Sequence, residues 1–309
     1  QTGKRNEDLA AATEPGRTFV AVERNGAAIG AWMIRSRVYS AQSTTFQMHG
    51  ARCDAYPRFQ RILSNLTFNN VEQRTIFKDL WTGMQSVAGR NVNVNVPSGT
   101  FATVNPKSTE VKAVDIRYYS EVMSSIANAE DGFDWYISVT KFGNLYRKTL
   151  LIGYPTLGTP FGPNSLVFEY PGNITQYYMT ESMADAGTHI LVLGAGEGAD
   201  MKQALVSHTD LINQGMPRWD VDVARKDINE QALLNSVANV IGKVRRAPAT
   251  TIKATVKGDA VPEFGSFGLG DTCKLVIKDP RNPFGLQHLT RIIQWRVRPP
   301  TSEQVEEAD

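Results

Sequence analysis

The length of the connections between apolar runs constrains this chain more than any other feature. In PNSLVFEYPGNITQYYMTESMADAGTHILVLGAGEG, residues 163–198, strand-like pieces are separated only by Pro171-Gly172-Asn173 and by Asp185-Ala186-Gly187. Parallel strands need about a dozen connecting residues, usually carrying a helix, so these turns are too short for crossovers. The strand ahead of the glycine run is therefore expected to run antiparallel to its predecessor. That expectation bears on THILVLGAGEGADMKQAL, Thr188 to Leu205, in which an apolar run feeds Gly194-x-Gly196-x-x-Ala199. With Met201, Ala204, Leu205 and His208 on one helical face, the stretch would open a dinucleotide site, its glycines admitting a pyrophosphate to the helix N-terminus. An acidic ribose partner belongs about 20 residues further on; Asp210 falls early and Asp220 late. The other reading is a loop that ends one strand, with Ala204, Val206 and His208 alternating along the next. Loop and strand are expected, because the chain as a whole lacks the alternating βαβα order of a doubly wound sheet.

Upstream, TFVAVERNG, AAIGAWMIRSRVYS and TTFQMHGARC lie between Thr18 and Asp54. Asn25-Gly26 between the first two is a strong hairpin signal, since both residues tolerate the positive φ of a type I′ turn. Short strands at this spacing suggest a small barrel or sandwich. A helix follows, with Ile76, Phe77, Leu80, Met84 and Val87 at helical spacing, Asn69-Asn70 as its expected start and Gly89 as its stop. NVNVNVP sets Val92, Val94 and Val96 against asparagines as a half-buried strand. A second helix is expected from about Ser120 to Ala129, using Val122, Met123, Ile126 and Ala127, and DWYISVT and RKTLLIGYP add strands. Beyond GMPRWDVDV, Asp227 and Glu230 read as a capping-box variant before a helix that turns Leu234, Val237, Ala238 and Ile241 to one face. TIKATVKG, DTCKLVIKD and LTRIIQWRVRP close the fold, and the proline-led, acidic PPTSEQVEEAD reads as a flexible end or the start of a linker. The expected class is α+β and β-dominated. Its domains are a β unit at 1–65, an α+β unit at 66–158, and a second β unit at 159–309 with one helix near 227–243.

The 309 residues carry 33 basic and 31 acidic side chains, a formal charge of +2. A dedicated nucleic-acid binder would concentrate its basic residues, whereas the densest region here, Lys243, Arg245 and Arg246, then Arg291, Arg296 and Arg298, reads as strand and helix ends. Cys53 and Cys273 stand far apart without a C-x-x-C pair, so neither a disulfide framework nor a zinc site is indicated. No apolar run approaches the roughly 20 residues that cross a bilayer and no signal-peptide segment opens the chain, which reads as soluble. The polar start at Gln1 fits the ordered part of a longer protein.

Candidate chemistry is sparse. Of His49, His189, His208 and His288, only His189 and His208 would approach each other if their strands pair, with Asp210 as a third metal ligand; otherwise they are polar strand ends. Glu130, Asp131 and Asp134 surround Gly132. A glycosidase needs two carboxyls about 5 to 9 Å apart, but a solvated turn is the simpler reading. Gly270-Asp271 fits a tight turn. No G-x-S-x-G elbow or Walker loop occurs. Trp32, Trp81, Trp135, Trp219 and Trp295 are spread as core anchors would be. No catalytic, cofactor-binding or metal-binding residue is assigned, and a structural or binding role is expected over catalysis.

Several phrases taken in order carry a resemblance: GFDWYISV at Gly132, LLIGYPTLGTP at Leu150, FEYPGNI at Phe168, GMPRWDVDV at Gly215 and FGLGDTCKLVIKDP at Phe267. Together the chain resembles minor tail proteins of siphoviruses that infect actinobacteria, which are similar to the central baseplate or tail-tip hub proteins of long-tailed phages. The resemblance implies a homotrimer whose subunits each contribute two related β-barrels to a ring continuous with the tail tube, with α/β domains at the periphery. It also implies distal tail or tube proteins above, tip or fibre proteins below and a tape-measure protein in the lumen. DNA would be present only in transit, without stable membrane association or cofactor. The location implied is the virion, after assembly in the host cytoplasm. The first β unit is short for a whole barrel, which leaves strands upstream of Gln1 or a later segment to complete it. Two other classes remain as alternatives: a tail-associated cell-wall hydrolase using Glu130, Asp134 or Glu169, and a receptor-binding adhesin.

Overall fold

The computed structural model describes residues 8–39, 46–129, 131–163, 165–226, 228–298 and 307–308. The chain divides into two compact units, Gln1–Thr156 and Leu157–Asp309.

After a short helical segment at residues 8–12, the first unit continues with the strands β1 (Phe19–Arg24), β2 (Ala27–Tyr39) and β3 (Phe46–Arg52), an antiparallel meander in which β2 is central. Its first turn is the expected one: Asn25 has φ 50° and Gly26 φ 81°, the left-handed pair that matches the twist of the flanking strands. A 3₁₀ segment, Cys53–Phe59, leads to β4 (Leu66–Glu72) and helix α1 (Gln73–Ser86), followed by β5 (Val94–Asn95) and β6 (Pro106–Val111). Helix α2 (Tyr119–Ala127) and the hairpin β7 (Asp134–Phe142) and β8 (Leu145–Gly153) complete the unit. β4 pairs with β6, and β5, β8 and β7 form a third sheet.

Helix α1 starts later than expected. Asn69-Asn70 lies within β4, where Asn70 (φ 54°) sits at a register shift and its N–H donates to Ser108 Oγ at 3.0 Å. Asparagine's tolerance of the left-handed region is spent on a β-bulge rather than on a cap. NVNVNVP keeps its alternation in burial, with Val92 and Val94 buried, but only Val94 and Asn95 join a ladder. One core unites the meander with the helices. Met33 of β2, Phe77 and Trp81 of α1, Met123 of α2 and Leu150 of β8 belong to the same buried cluster. Phe77 meets Phe133 edge to face with ring centroids 5.3 Å apart and Trp135 at 4.8 Å, the offset geometry aromatic quadrupoles favour.

The second unit contains β9 (Leu166–Tyr170), β10 (Ile174–Ser182), β11 (His189–Leu193), β12 (Gln203–Ser207), the short helix α3 (Thr209–Asn213), β13 (Asp220–Ala224) and helix α4 (Gln231–Arg245). After these come β14 (Ala249–Lys257), β15 (Thr272–Ile277), β16 (Leu286–Arg291), β17 (Val297–Arg298) and β18 (Glu307–Ala308). The last of these, within the tail read as flexible, pairs with β14 and β17; residues 299–306 lie outside the described residues. Asp227 of the expected capping box does too, and Glu230 caps α4 without a side-chain bond.

Two pairings correct the sequence reading. β11 is not antiparallel to β10, because the two belong to different sheets: β10 pairs with β14, whereas β11 pairs antiparallel with β12 and parallel with β13. The parallel step is made possible by β12 and α3, which supply the crossover that the short 183–188 connection lacked. A second parallel pair, β9 with β15, joins segments far apart in sequence. The fold is α+β and β-dominated, built from six small sheets. None of them closes into a barrel among the described residues. Closure needs a first strand that pairs with the last, and among the described residues the first and last strands of these two- to four-stranded sheets do not pair.

Candidate functional site

The glycine run is the tip of the β11–β12 hairpin. Gly194 N–H donates to the Lys202 carbonyl at 2.7 Å, Lys202 N–H to Ala195 at 2.9 Å, and Ala195 N–H to Ile228 at 2.8 Å. Beyond the loop lies only the 3₁₀ turn Gly198–Asp200, then β12, the strand expected there. An anion site needs free backbone N–H groups at the start of a helix, and here Gly194 and Ala195 have spent theirs inside the fold. A calorimetric titration with NAD or ATP is expected to give no saturable heat; a saturating isotherm would restore the nucleotide reading.

The histidines do not converge on a metal. The β11–β12 register sets His189 opposite Ser207, so the strands do pair as imagined. His189 Nδ1 lies 3.3 Å from Thr188 Oγ1, His208 Nε2 lies 3.0 Å from the Gly242 carbonyl, and Asp210 forms an ion pair with Arg246. Each group is satisfied separately. No set of three His, Cys, Asp or Glu side chains is grouped for a metal among the described residues.

The acidic candidates are equally dispersed. Asp131 (φ 58°) contributes its backbone carbonyl, which accepts from Gln73 Nε2 and from Asn105 Nδ2 at 3.2 Å. Asp134 opens β7 in the first unit, Glu169 lies exposed on β9 in the second, and Glu130 is outside the described residues. Cys53 and Cys273 are buried. Burial pushes both thiols up, Cys273 to about 11, so neither is a thiolate nucleophile at neutral pH.

Sequence reasoning passed over two features. The first is Glu72, 4% exposed at the start of α1. Its Oε1 accepts from Arg74 Nε at 2.7 Å, and its Oε2 from the Val104 and Asn105 N–H groups at 2.7 and 2.9 Å. The Arg74 guanidinium lies 4.9 Å from the Phe101 ring centroid and 5.1 Å from that of Tyr154. Burial raises the Glu72 carboxyl, but the Arg74 bond and the two backbone donors outweigh it and hold the group below the ordinary carboxylate range. No short motif announces such a clamp; its only signal is a Glu-x-Arg pair where an apolar helix begins.

The second feature is a set of exposed apolar side chains at sheet edges. Among the described residues β16 pairs only with β15, and no described strand pairs with its other edge. Phe284, 99% exposed, precedes this edge, Leu289 lies on it and Ile293 follows it. In the first unit the β7–β8 hairpin end presents Phe142 and Leu145, and the same end is tied to β1 by Lys141, whose Nζ donates to Glu23 at 2.9 Å. Open edges flanked by large apolar groups are where a soluble chain pairs with another polypeptide.

No protein-family model matches this chain, and no curated protein matches it by sequence. Solved structures do. The prophage MuSo2 43 kDa tail protein from Shewanella oneidensis aligns over 93% of this chain and 77% of its own length, with TM-score 0.56 and 13% identity. A tail protein from Neisseria meningitidis MC58 aligns over 92% of this chain and 79% of its own, with TM-score 0.53 and 10% identity. The chain therefore has the fold of these tail proteins.

Proposed function

We propose that this chain is a structural subunit of a phage tail, a hub of the baseplate or tail tip that joins the tail tube to the tip and lines part of the path for the genome. The observation that carries this reading is the shared fold with two tail proteins over more than nine-tenths of the chain. At 10–13% identity the fold has outlasted nearly all side chains, as a scaffold whose role lies in its assembly geometry rather than in a reacting group would allow.

In this reading the working state is a homotrimer, and sheets left open in one chain are completed between copies to form the barrels of a ring. Residues 1–65 and 159–309 supply the ring-forming β regions, and 66–158 the peripheral α+β region. A three-fold ring uses heterologous contacts that close on themselves, and a permanent contact of this kind buries more than about 2,000 Å² in total. The near-neutral charge suits a lumen that must pass DNA without holding it. Tube, tip and tape-measure proteins would be its neighbours, in the tail of a siphovirus infecting an actinobacterium.

Mass photometry of the purified chain at micromolar concentration, followed by electron microscopy, tests the reading. A single species of three times the 34.1 kDa chain mass with a central opening is expected. A monomer that persists at assembly concentrations would overturn the hub assignment.

A further inference from the structure

A groove on the first unit runs between the exposed face of α1 and residues 91–98. It is open to solvent, has a volume of about 580 Å³ and is lined by Asp79, Thr82, Ser86, Asn91, Asn95 and Ser98, with Val96 and Pro97 as its apolar part. Ligand clefts span roughly 300–1,000 Å³. We propose that this groove is a binding site for a neutral carbohydrate, a function beyond the structural role proposed above and independent of it.

The walls are held in place before any ligand arrives. At one end the Gln85 side chain clasps Val94: its Nε2 donates to the Val94 carbonyl at 2.9 Å and its Oε1 accepts the Val94 N–H at 2.9 Å. At the other end Lys78 Nζ donates to the Gly99 carbonyl at 2.9 Å. A groove fixed in this way loses little conformational entropy on binding.

The same bonds decide which class of ligand fits. An extended peptide would need the free edge of β5, and both backbone groups of Val94 are already taken by Gln85. An anion would need an available cation; Lys78, the only basic residue of the lining, is committed to Gly99 and lies 3.9 Å from Asp79 Oδ1. What remains is neutral hydrogen-bonding capacity. The Asn95 amide and the Ser98 hydroxyl have no partner among the described residues. Thr82 and Ser86 donate to helix carbonyls and keep their acceptor lone pairs, and Asn91 has used only its Oδ1, on the Asn93 N–H. Planar amides beside a carboxylate and hydroxyls match the adjacent hydroxyls of a sugar, each of which both donates and accepts. The Val96 and Pro97 surface offers the apolar patch that a sugar ring's C–H face covers.

Calorimetry and side-chain amide NMR on the full chain test this. The probes are glucose, galactose and N-acetylglucosamine oligomers of two to four units, with oligogalacturonate and a neutral Ala/Ser peptide as the acidic and peptide comparisons. At least one neutral series is expected to bind saturably and to shift the Asn91 and Asn95 amide resonances. Asn95→Ala and Asp79→Ala, both exposed and unneeded for packing, should each weaken that binding about fivefold to tenfold, while Thr140→Ala, outside the groove, leaves it unchanged. Absence of saturable binding by every neutral series would overturn the proposal. So would binding indifferent to both groove variants, or a preference for the peptide or the acidic oligomer. The assay reads binding whatever oligomer the chain forms, so its failure leaves the tail-hub reading standing, and a monomeric chain leaves the groove standing.

Discussion

Replacing Gly158 by alanine is expected to destabilise the second unit by about 3–5 kcal/mol, within the severe tail of single-substitution effects. Gly158 (φ 93°) and Gly270 (φ 93°) cross so closely that a Cβ on Gly158 would stand 2.5 Å from the Asp271 amide nitrogen, and a Cβ on Gly270 2.5 Å from the Leu157 carbonyl oxygen. Neither backbone can retreat. Asp271 Oδ1 accepts the Thr159 N–H at 2.6 Å and its Oδ2 the Gly268 N–H at 2.7 Å. Arg291 bonds the Gly270 and Leu157 carbonyls at 3.1 and 3.2 Å. Alanine therefore meets both a backbone clash and a left-handed φ that alone costs of order 1–2 kcal/mol. Differential scanning calorimetry should show the transition of the second unit lowered by roughly 10 °C. Gly162→Ala, at an open position with ordinary φ, should leave it nearly unmoved. A Gly158→Ala chain melting within about 2 °C of the parent would show that the two backbones do not cross this closely.

Glu72→Ala should be comparably damaging to the first unit, about 3–5 kcal/mol, because removing one partner strands the other in the protein. Arg74 would keep its place between Phe101 and Tyr154 without its carboxylate, and the Val104 and Asn105 N–H groups would lose their acceptor. The sign of the pH dependence follows from the depressed acidity. The folded chain holds the Glu72 carboxyl below its ordinary value of 4.5, so its stabilisation is fully present above that value and is lost as pH falls through the lower, folded-state value. Urea unfolding of the parent and of Glu72→Gln, compared at pH 7, 5 and 3.5, should show a gap that is wide at pH 7 and 5 and narrows at 3.5. A gap that stays constant across this range would mean that Glu72 acts by shape rather than by charge.

Local elements were largely legible. Apolar spacing located α1, α2 and α4, because each buries one stripe against a core and leaves the rest in water. Asn25-Gly26 announced its hairpin because few residue pairs tolerate its backbone. The strand after the glycine run was read from the alternation of Ala204 and Val206, and Ala204 is indeed buried. Where local signals failed, a distant group had taken over a residue's preference. Ser108 drew Asn70 into a β-bulge, and α1 begins at Gln73, three residues beyond Asn70 and behind Glu72. Short connections excluded a crossover between β10 and β11, but they did not reveal that β12 and α3 would supply one from β11 to β13.

The candidate residues divide the same way. Spacing alone brought His189 and His208 to the ends of paired strands; His189 meets its own neighbour Thr188, whereas the His208 bond to Gly242 exists only because α4 packs there. The groove beside α1 is built from a helix face and the asparagines of NVNVNVP, two stretches each of which looked like ordinary amphipathic structure.

From its order of residues alone this chain is committed to short strands, three amphipathic helices and tight turns, since those depend on side-chain periodicity and on backbone preferences within a few positions. Only the tertiary structure decides that β9 meets β15, that Gly158 crosses Gly270, and that Glu72 closes on Val104 and Asn105. Such contacts join segments whose mutual approach leaves no periodic trace, because their energy exists only after the rest of the chain has brought them together.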